Sequence, residues 1–237
     1  WWLKNNELPS DLIRKVGNNL IFEVEENEII KRGNRKFIYR DYYILFANYS
    51  QLVISISFDS KNPQITVNMN QSHISPPIIN DDILNKYYDL FGNTIYQLAI
   101  KSIGSIIYGD FVPGLLSQIP NILRPVGATS FGAQIYFNNS NSQISKKGDF
   151  RPGDILTLEK AKFNAHNKFH QKFVFETGFD KPFSAIITDW DNKKEKFRVI
   201  EKSSNTGKIK QSSYRPSDLK SGTIRVFRTV GRDFVQW

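Results

Sequence analysis

The chain has 237 residues, of which 40% are hydrophobic and 14% are aromatic, and its formal net charge is +9. This balance predicts a globular protein with a sizeable core, and no apolar run is long enough to predict a membrane span. Cysteine is absent, which excludes disulfides, cysteine-ligated zinc and a cysteine nucleophile. The chain begins with Trp rather than Met and shows no signal peptide, so we interpret it as part of a longer protein.

Residues 1–75 predict a small antiparallel sheet that follows one short helix. The helix signature lies in residues 8–16, with Ser10 as its N-cap. Alternating or β-branched segments then predict the strands: 20–24, a hairpin over 28–39 with Gly33 and Asn34 at its turn, two runs within 41–58, and 64–69.

Residues 76–237 predict helices followed by antiparallel strands. After consecutive prolines, Asn80 or Asp81 caps a helix over 82–103 whose apolar residues recur at helical spacing. The rest is predicted as a turn and shorter helix over 104–123, a polar loop over 138–150, and strands within 151–163, 183–190, 196–203, 208–219 and 222–230. The fold class is therefore α+β, an antiparallel sheet with packed helices. We expect one compact unit, or two packed subdomains over 1–75 and 76–237.

The tryptophans at the two ends of the chain allow two interpretations. Trp1, Trp2 and Trp237 could form a peptide-binding aromatic patch. They could instead be anchors that pack on the edge of the domain, and we favour this second interpretation.

The net positive charge suggests an alternative function, in which the domain is a charge-driven binder of anionic membrane or nucleic acid. The densest basic clusters are 31–36, 146–147, 160–162 and 193–196, and each is predicted as a turn or loop. Aromatic residues do not interleave with them as in RNA-binding sheets, so nucleic acid is the less favoured partner.

No cofactor or metal is expected from the sequence. His166 and His170 have the spacing of a metal pair on a helix, but no carboxylate follows until Glu176. Asp189 and Asp191 are more simply part of a hairpin than a pair of catalytic carboxylates. Residues 127–134 lack the Lys-Ser or Lys-Thr end of a phosphate-binding loop.

The order of elements over residues 95–230 resembles the papain-like fold of the NlpC-type and CHAP cell-wall hydrolases. In that family a cysteine opens a helix after a Gly-x-x-Tyr-Gly-like turn, and IGSIIYGDFVPGLL at 103–116 is similar to this motif. The family's Pro-Gly-Asp strand start is present at 152–154. The resemblance places the remaining functional positions as follows: the nucleophile at Phe111 or Val112, the histidine at Ser184, and the polar group that orients the histidine at Glu201 or Ser203.

These substitutions imply a papain-like core that is catalytically dead. A cysteine peptidase needs imidazole to take the thiol proton and hold the thiolate, and neither Phe111 nor Val112 attacks a carbonyl. The remnant cleft would hold a peptide without acylation. The alternative is a residual peptidase or amidase in which Ser184 is the nucleophile and the fold brings a histidine close.

A resemblance to the C-terminal domain of the fungal myosin tail region-interacting proteins covers nearly the whole chain. It rests on the WWL start, on KRGNRKFIYRDYYILF, RPGDIL and FRVIEKSS, and on the ending GTIRVFRTVGRDFVQW. Those proteins are multidomain SH3 proteins of the cytoplasm and the cortical actin patch. The resemblance implies a non-catalytic interaction or scaffold domain at endocytic sites, which regulates actin assembly with type I myosins. Its expected partners are proteins, namely patch components, type I myosin, or an acidic or Pro-rich segment.

Overall fold

The structure, a computed structural model, describes residues 1–166 and 172–236. Contacts between residues are concentrated within two compact units, Trp1–Ile78 and Ile79–Trp237. Each unit has its own antiparallel sheet. Within the described ranges, no helix is long and apolar enough to cross a membrane.

The first unit is a four-stranded sheet in the order β1-β2-β3-β4. Its elements are α1 (Ser10–Ile13), β1 (Leu20–Lys31), β2 (Arg35–Phe46), β3 (Gln51–Asp59), α2 (Pro63–Thr66) and β4 (Asn68–Ile74). Gly33 and Asn34 form the turn of the β1–β2 hairpin with φ of 80° and 57°, a left-handed conformation that these two residue types tolerate. The predicted hairpin is therefore confirmed.

Two details of the first unit differ from the prediction. Ser10 is the first residue of α1 rather than its cap, because Pro9 takes the cap position and no side chain bonds there. The strand predicted over 64–69 begins only at Asn68. Before it, Pro63 opens the short helix α2, since the fixed φ of proline suits a first helical turn.

The core of the first unit includes the two N-terminal tryptophans. The indole of Trp1 lies 5.4 Å from the Tyr42 ring and that of Trp2 lies 5.3 Å from the Phe58 ring, both as ring-centroid distances. The buried Arg40 donates to the Trp2 carbonyl at 2.6 Å, which ties the chain start to β2. Trp1 and Trp2 are thus anchors within this unit, while Trp237 lies outside the described residues.

The second unit begins with a helical segment that changes geometry midway. Its helices are α3 (Asp81–Tyr87), a π-helical turn (Tyr88–Gly92), α4 (Asn93–Ser102) and α5 (Phe111–Leu116). The side chain of Asn80 caps α3 by accepting from the Ile83 amide at 2.9 Å, as predicted. The predicted helix over 82–103 is therefore present, with a π-turn in its middle.

The sheet of the second unit has eight strands in the order β11-β10-β9-β7-β12-β5-β6, with β8 paired to β7. The strands are β5 (Ala133–Asn139), β6 (Gln143–Lys146), β7 (Ile155–His166), β8 (Lys172–Thr177), β9 (Phe183–Asp191), β10 (Lys196–Lys202), β11 (Ile209–Tyr214) and β12 (Leu219–Arg228). The loop predicted over 138–150 was wrong in part, because β6 pairs there with β5. The whole chain is largely antiparallel sheet with few helices, broadly α+β.

The Pro-Gly-Asp turn before β7 presses against the π-turn. Gly153 has a φ of 96°, and a Cβ built on it would lie 2.3 Å from the carbonyl oxygen of Gly92. Its amide also donates to the Ile187 carbonyl at 2.8 Å. The close approach of two backbones explains why glycine occurs at 153, and it places the turn firmly against the helical segment.

A buried ion pair fixes the same turn to the end of the neighbouring strand β12. Arg228 Nε and Nη2 donate to the two carboxylate oxygens of Asp154 at 2.9 and 2.8 Å, and both side chains are almost fully buried. Asp154 also accepts from the Arg151 amide at 2.8 Å, so its carboxylate caps the turn before β7. Burial raises the pKa of Asp154, while the Arg228 guanidinium acts in the opposite direction.

Candidate functional site

A cleft of about 510 Å³ lies between the start of α5 and the start of β9. Its walls come from three parts of the second unit: Gly109–Phe111 before and at the start of α5, Glu176–Ser184 from the end of β8 to β9, and Lys202 with Ser204 around the end of β10. The papain-like resemblance assigns nucleophile and histidine to such a helix start and strand start.

The structure brings Phe111 and Ser184 to this cleft together. Phe111 is only 5% exposed, so its ring belongs mainly to the core beneath the cleft. Val112, the next residue, is fully buried and does not line the cleft. Ser184 is half-buried and pairs with Thr157 of β7, which holds it at the strand start.

Glu201 lies on the opposite side of the sheet from the cleft. It pairs with Ala185 in β9, accepts from the Tyr214 hydroxyl at 2.7 Å and lies 3.4 Å from Lys210 Nζ. A separate cavity of about 350 Å³ is lined in part by Glu201, Tyr214 and Lys210. Because successive strand residues face opposite sides, Lys202 rather than Glu201 faces the cleft. Burial and the Glu201 carboxylate together raise the pKa of Tyr214.

Ser203 belongs to the turn after β10 and is not among the cleft-lining residues. Its amide donates to the Lys208 carbonyl at 2.9 Å, and its carbonyl accepts from Gly207 at 2.9 Å. Its neighbour Ser204 lines the cleft instead. The polar position that the resemblance assigned to Glu201 or Ser203 is therefore occupied on the cleft side by Lys202 and Ser204.

Two lysines that the sequence analysis did not single out hold the cleft together. Lys202 Nζ donates to the Gly109 carbonyl at 2.7 Å, and Lys181 forms an ion pair with Asp110. Both contacts join the segment before α5 to strands β9 and β10. Strand alternation alone could not have identified Lys202, because a shift of one residue in register exchanges the sides of Glu201 and Lys202.

The described side chains at the cleft supply no thiol and no imidazole. Among the histidines, His73 lies in β4 of the first unit, His166 ends β7 with a side chain that is not described, and His170 lies outside the described residues. The charged side chains Asp110 and Lys181 bind each other. No histidine pairs with Ser184 as a base among the described residues that line the cleft.

Metal-ligating side chains do not cluster anywhere in the described part of the chain. The spacing of His166 and His170 remains a sequence pattern only, since His170 is outside the described residues. In the hairpin of β9 and β10, Asp189 and Asp191 form ion pairs with Arg198. Arg198 Nη2 lies 2.8 Å from Asp191, and Arg198 Nε lies 3.5 Å from Asp189. This ion pairing agrees with the hairpin interpretation of both aspartates.

Removing the hydroxyl of Tyr214 should destabilise the second unit without closing the cleft. Tyr214→Phe leaves the carboxylate of Glu201, which is 5% exposed, without its best donor. We expect the free energy of unfolding to fall by about 1–3 kcal/mol, as for other buried acceptors that lose a partner. Urea unfolding followed by tryptophan fluorescence measures this loss. Tyr108→Phe is the matched control, since Tyr108 is 91% exposed and should change the stability little.

The fold and the cleft define a protein of the cysteine proteinase-fold class. The chain belongs to the AIM3/BBC1 cysteine proteinase-fold domain family, whose members match residues 69–237. It is also 33% identical over 245 residues to the SH3 domain-containing protein C23A1.17 of Schizosaccharomyces pombe. That alignment covers 100% of this chain but only 15% of the relative. No solved structure matches the chain.

Proposed function

We propose that this domain is a non-catalytic protein-interaction module that holds a segment of a partner protein in the cleft between α5 and β9. The observation that carries the proposal is that Phe111 and Ser184 line one cleft, and the papain-like resemblance assigns the cysteine and the histidine to these two positions. The cleft keeps a volume of about 510 Å³, which accommodates several residues of an extended peptide.

The walls of the cleft offer a partner segment an apolar contact and charged groups of both signs. Phe179 is 44% exposed and offers an apolar contact at the cleft wall. The charged residues of the lining are Lys181 and Lys202 together with Asp110, Glu176 and Asp180, and Lys181 is paired with Asp110. The net charge of +9 adds attraction for an acidic partner at longer range. This long-range attraction would favour an acidic region of a patch component, or of the chain from which this domain comes.

The proposed cellular setting is the cytoplasmic cortical actin patch. Membership of the AIM3/BBC1 family and the similarity to an SH3 domain-containing fungal protein support a multidomain adaptor. In this setting the domain would act as a scaffold at endocytic sites and regulate actin assembly together with type I myosins. Its partners would be patch components, a type I myosin, or an acidic or Pro-rich segment.

The test is to fill the cleft and measure what the domain still binds. Ser184→Trp places a large ring in the cleft, while Ser145→Trp places the same ring on the exposed strand β6 as a control. Val112→Trp is unsuitable, because Val112 is fully buried and a larger side chain would overpack the core. Both variants and the unmodified domain would be compared in pull-downs from fungal lysate at low and moderate salt, quantified by mass spectrometry.

We expect Ser184→Trp to reduce the recovery of salt-resistant partners at least about tenfold, which corresponds to about 1.4 kcal/mol of binding free energy. Ser145→Trp should retain them. Equal recovery by all three proteins, each with an unchanged melting temperature, would show that the interface is not the cleft. Turnover of a peptide or amide that Ser184→Ala abolishes would instead establish the enzymatic alternative.

A further inference from the structure

We propose that the tip of the β1–β2 hairpin, residues 29–37, binds anionic phospholipid headgroups at a membrane surface. The site belongs to the first unit and is independent of the cleft. It rests on three observations: the tip extends beyond its sheet, its cations lack carboxylate partners, and exposed isoleucines lie beside those cations.

The tip extends past the rest of its sheet as a two-stranded ribbon. The β2–β3 ladder ends at the pair Phe37–Asp59, whereas the β1–β2 ladder continues to the pair Lys31–Arg35. The three-residue turn that follows is fully exposed. The tip therefore projects beyond β3, and a projecting end can press against an extended surface.

Positive charge is concentrated in this short segment. The cations are Lys31, Arg32, Arg35 and Lys36. Lys36 is bound by Glu28 at 2.6 Å, while none of the other three has a carboxylate within ion-pair distance among the described residues. Lys31 Nζ lies 4.2 Å from the centroid of the Phe37 ring, and this ring contact holds the charge near the tip.

Negative charge lies farther back on the same ribbon. Four glutamates precede the tip in β1, at positions 23, 25, 26 and 28. Glu26 is held by Arg40, whose Nε donates to it at 2.7 Å. The ribbon is thus polarised along its length, with a basic end that would approach an anionic surface first.

Apolar side chains beside the cations distinguish a membrane from other anionic partners. Ile30 is 72% exposed and Ile29 is 48% exposed. The phosphates and sugars of a nucleic acid give these side chains little apolar surface to bury. At a bilayer, the lysines and arginines bind phosphate and carboxylate groups while the isoleucines enter the boundary of the acyl chains.

The experiment is sedimentation of the whole chain with phosphatidylcholine vesicles, with and without phosphatidylserine. Arg32→Glu/Arg35→Glu removes the tip charge, and Lys193→Glu/Lys194→Glu changes the net charge equally on the exposed β9–β10 turn. Ile30→Ser tests the apolar contact against Ile65→Ser, because Ile65 is 87% exposed in α2 of the same unit. All substituted side chains are exposed, so thermal unfolding should remain unchanged.

We expect binding only to vesicles that contain phosphatidylserine. Arg32→Glu/Arg35→Glu should weaken it roughly twentyfold or more, since each basic side chain near such a surface contributes about a factor of five. The control pair should weaken it far less, and Ile30→Ser should weaken it more than Ile65→Ser. Equal losses in the two charge-reversed variants would overturn the proposal in favour of an effect of net charge. Absence of vesicle binding, or an Ile30→Ser variant that binds normally, would also overturn it.

Discussion

Replacing Arg228 with alanine is expected to lower the free energy of unfolding by about 3–5 kcal/mol. The guanidinium is bound to both oxygens of Asp154 at 2.9 and 2.8 Å, and it also donates to the Asp149 carbonyl at 2.8 Å. Without it, a carboxyl group that is 1% exposed loses the cation that binds both of its oxygens. Urea unfolding of the purified chain, compared with the unmodified protein, measures the loss.

The matched control lies on the same strand. Arg225 Nη1 binds Glu159 at 2.8 Å, but this pair is partly exposed, so Arg225→Ala should cost no more than about 1 kcal/mol. The double replacement Arg228→Met/Asp154→Leu should recover part of the loss, because it removes both buried charges. If Arg228→Ala and Arg225→Ala lowered the free energy of unfolding equally, the buried Arg228–Asp154 pair would stabilise this unit no more than the partly exposed pair does. That result would contradict the prediction.

The loss caused by Arg228→Ala should also depend on pH. In the variant, burial raises the pKa of Asp154 and the Arg228 guanidinium no longer opposes this rise. A carboxyl group whose pKa is higher in the folded than in the unfolded state stabilises the fold at low pH, and this stabilisation disappears as the pH rises. The deficit of the variant relative to the unmodified protein should therefore be smaller in mildly acidic than in neutral buffer.

Gly153→Ala is expected to destabilise the second unit by more than about 3 kcal/mol, from the left-handed backbone and a steric conflict together. A φ of 96° alone disfavours any side chain. The new methyl group would in addition lie 2.3 Å from the Gly92 carbonyl oxygen, so the Pro-Gly-Asp turn and the π-turn would have to separate. Thermal unfolding monitored by circular dichroism should show the loss.

Gly104→Ala separates the two causes of this effect. Gly104 has a similar φ of 89°, but nothing lies within 4 Å of a Cβ placed there. We expect this control to lose about 1–2 kcal/mol, from the backbone conformation alone. A Gly153→Ala protein no less stable than Gly104→Ala would mean that the turn relaxes freely away from the helix.

The later strands were predictable because their residues alternate or are β-branched. The predicted strands 183–190 and 196–203 agree with β9 and β10 to within a residue or so. The β5–β6 hairpin was missed because every residue of β6 is exposed, so no apolar alternation marks it. The π-turn was also not predicted, since its immediate neighbour is the Pro-Gly-Asp turn that lies sixty residues later in the chain.

The cleft shows a similar limit. Motif resemblance assigned Phe111 and Ser184 to one site, and both line the cleft; their role in binding stays a prediction. The motif resemblance could not decide whether Glu201 or Lys202 faces the cleft, because a shift of one residue in strand register reverses the answer. The partners of Lys181 and Lys202 depend on the segment before α5, which has no periodic pattern.

The pairing of β3 with β4 determines where the chain can be cut for recombinant expression without breaking a sheet. The family match begins at residue 69, inside β4, whereas β4 pairs along its length with β3 of the first unit. A recombinant protein that starts at the family boundary would lose the partner of that strand and expose its unpaired amides and carbonyls. A cut within residues 75–80, between β4 and α3, severs no strand pairing and is the better boundary for expression.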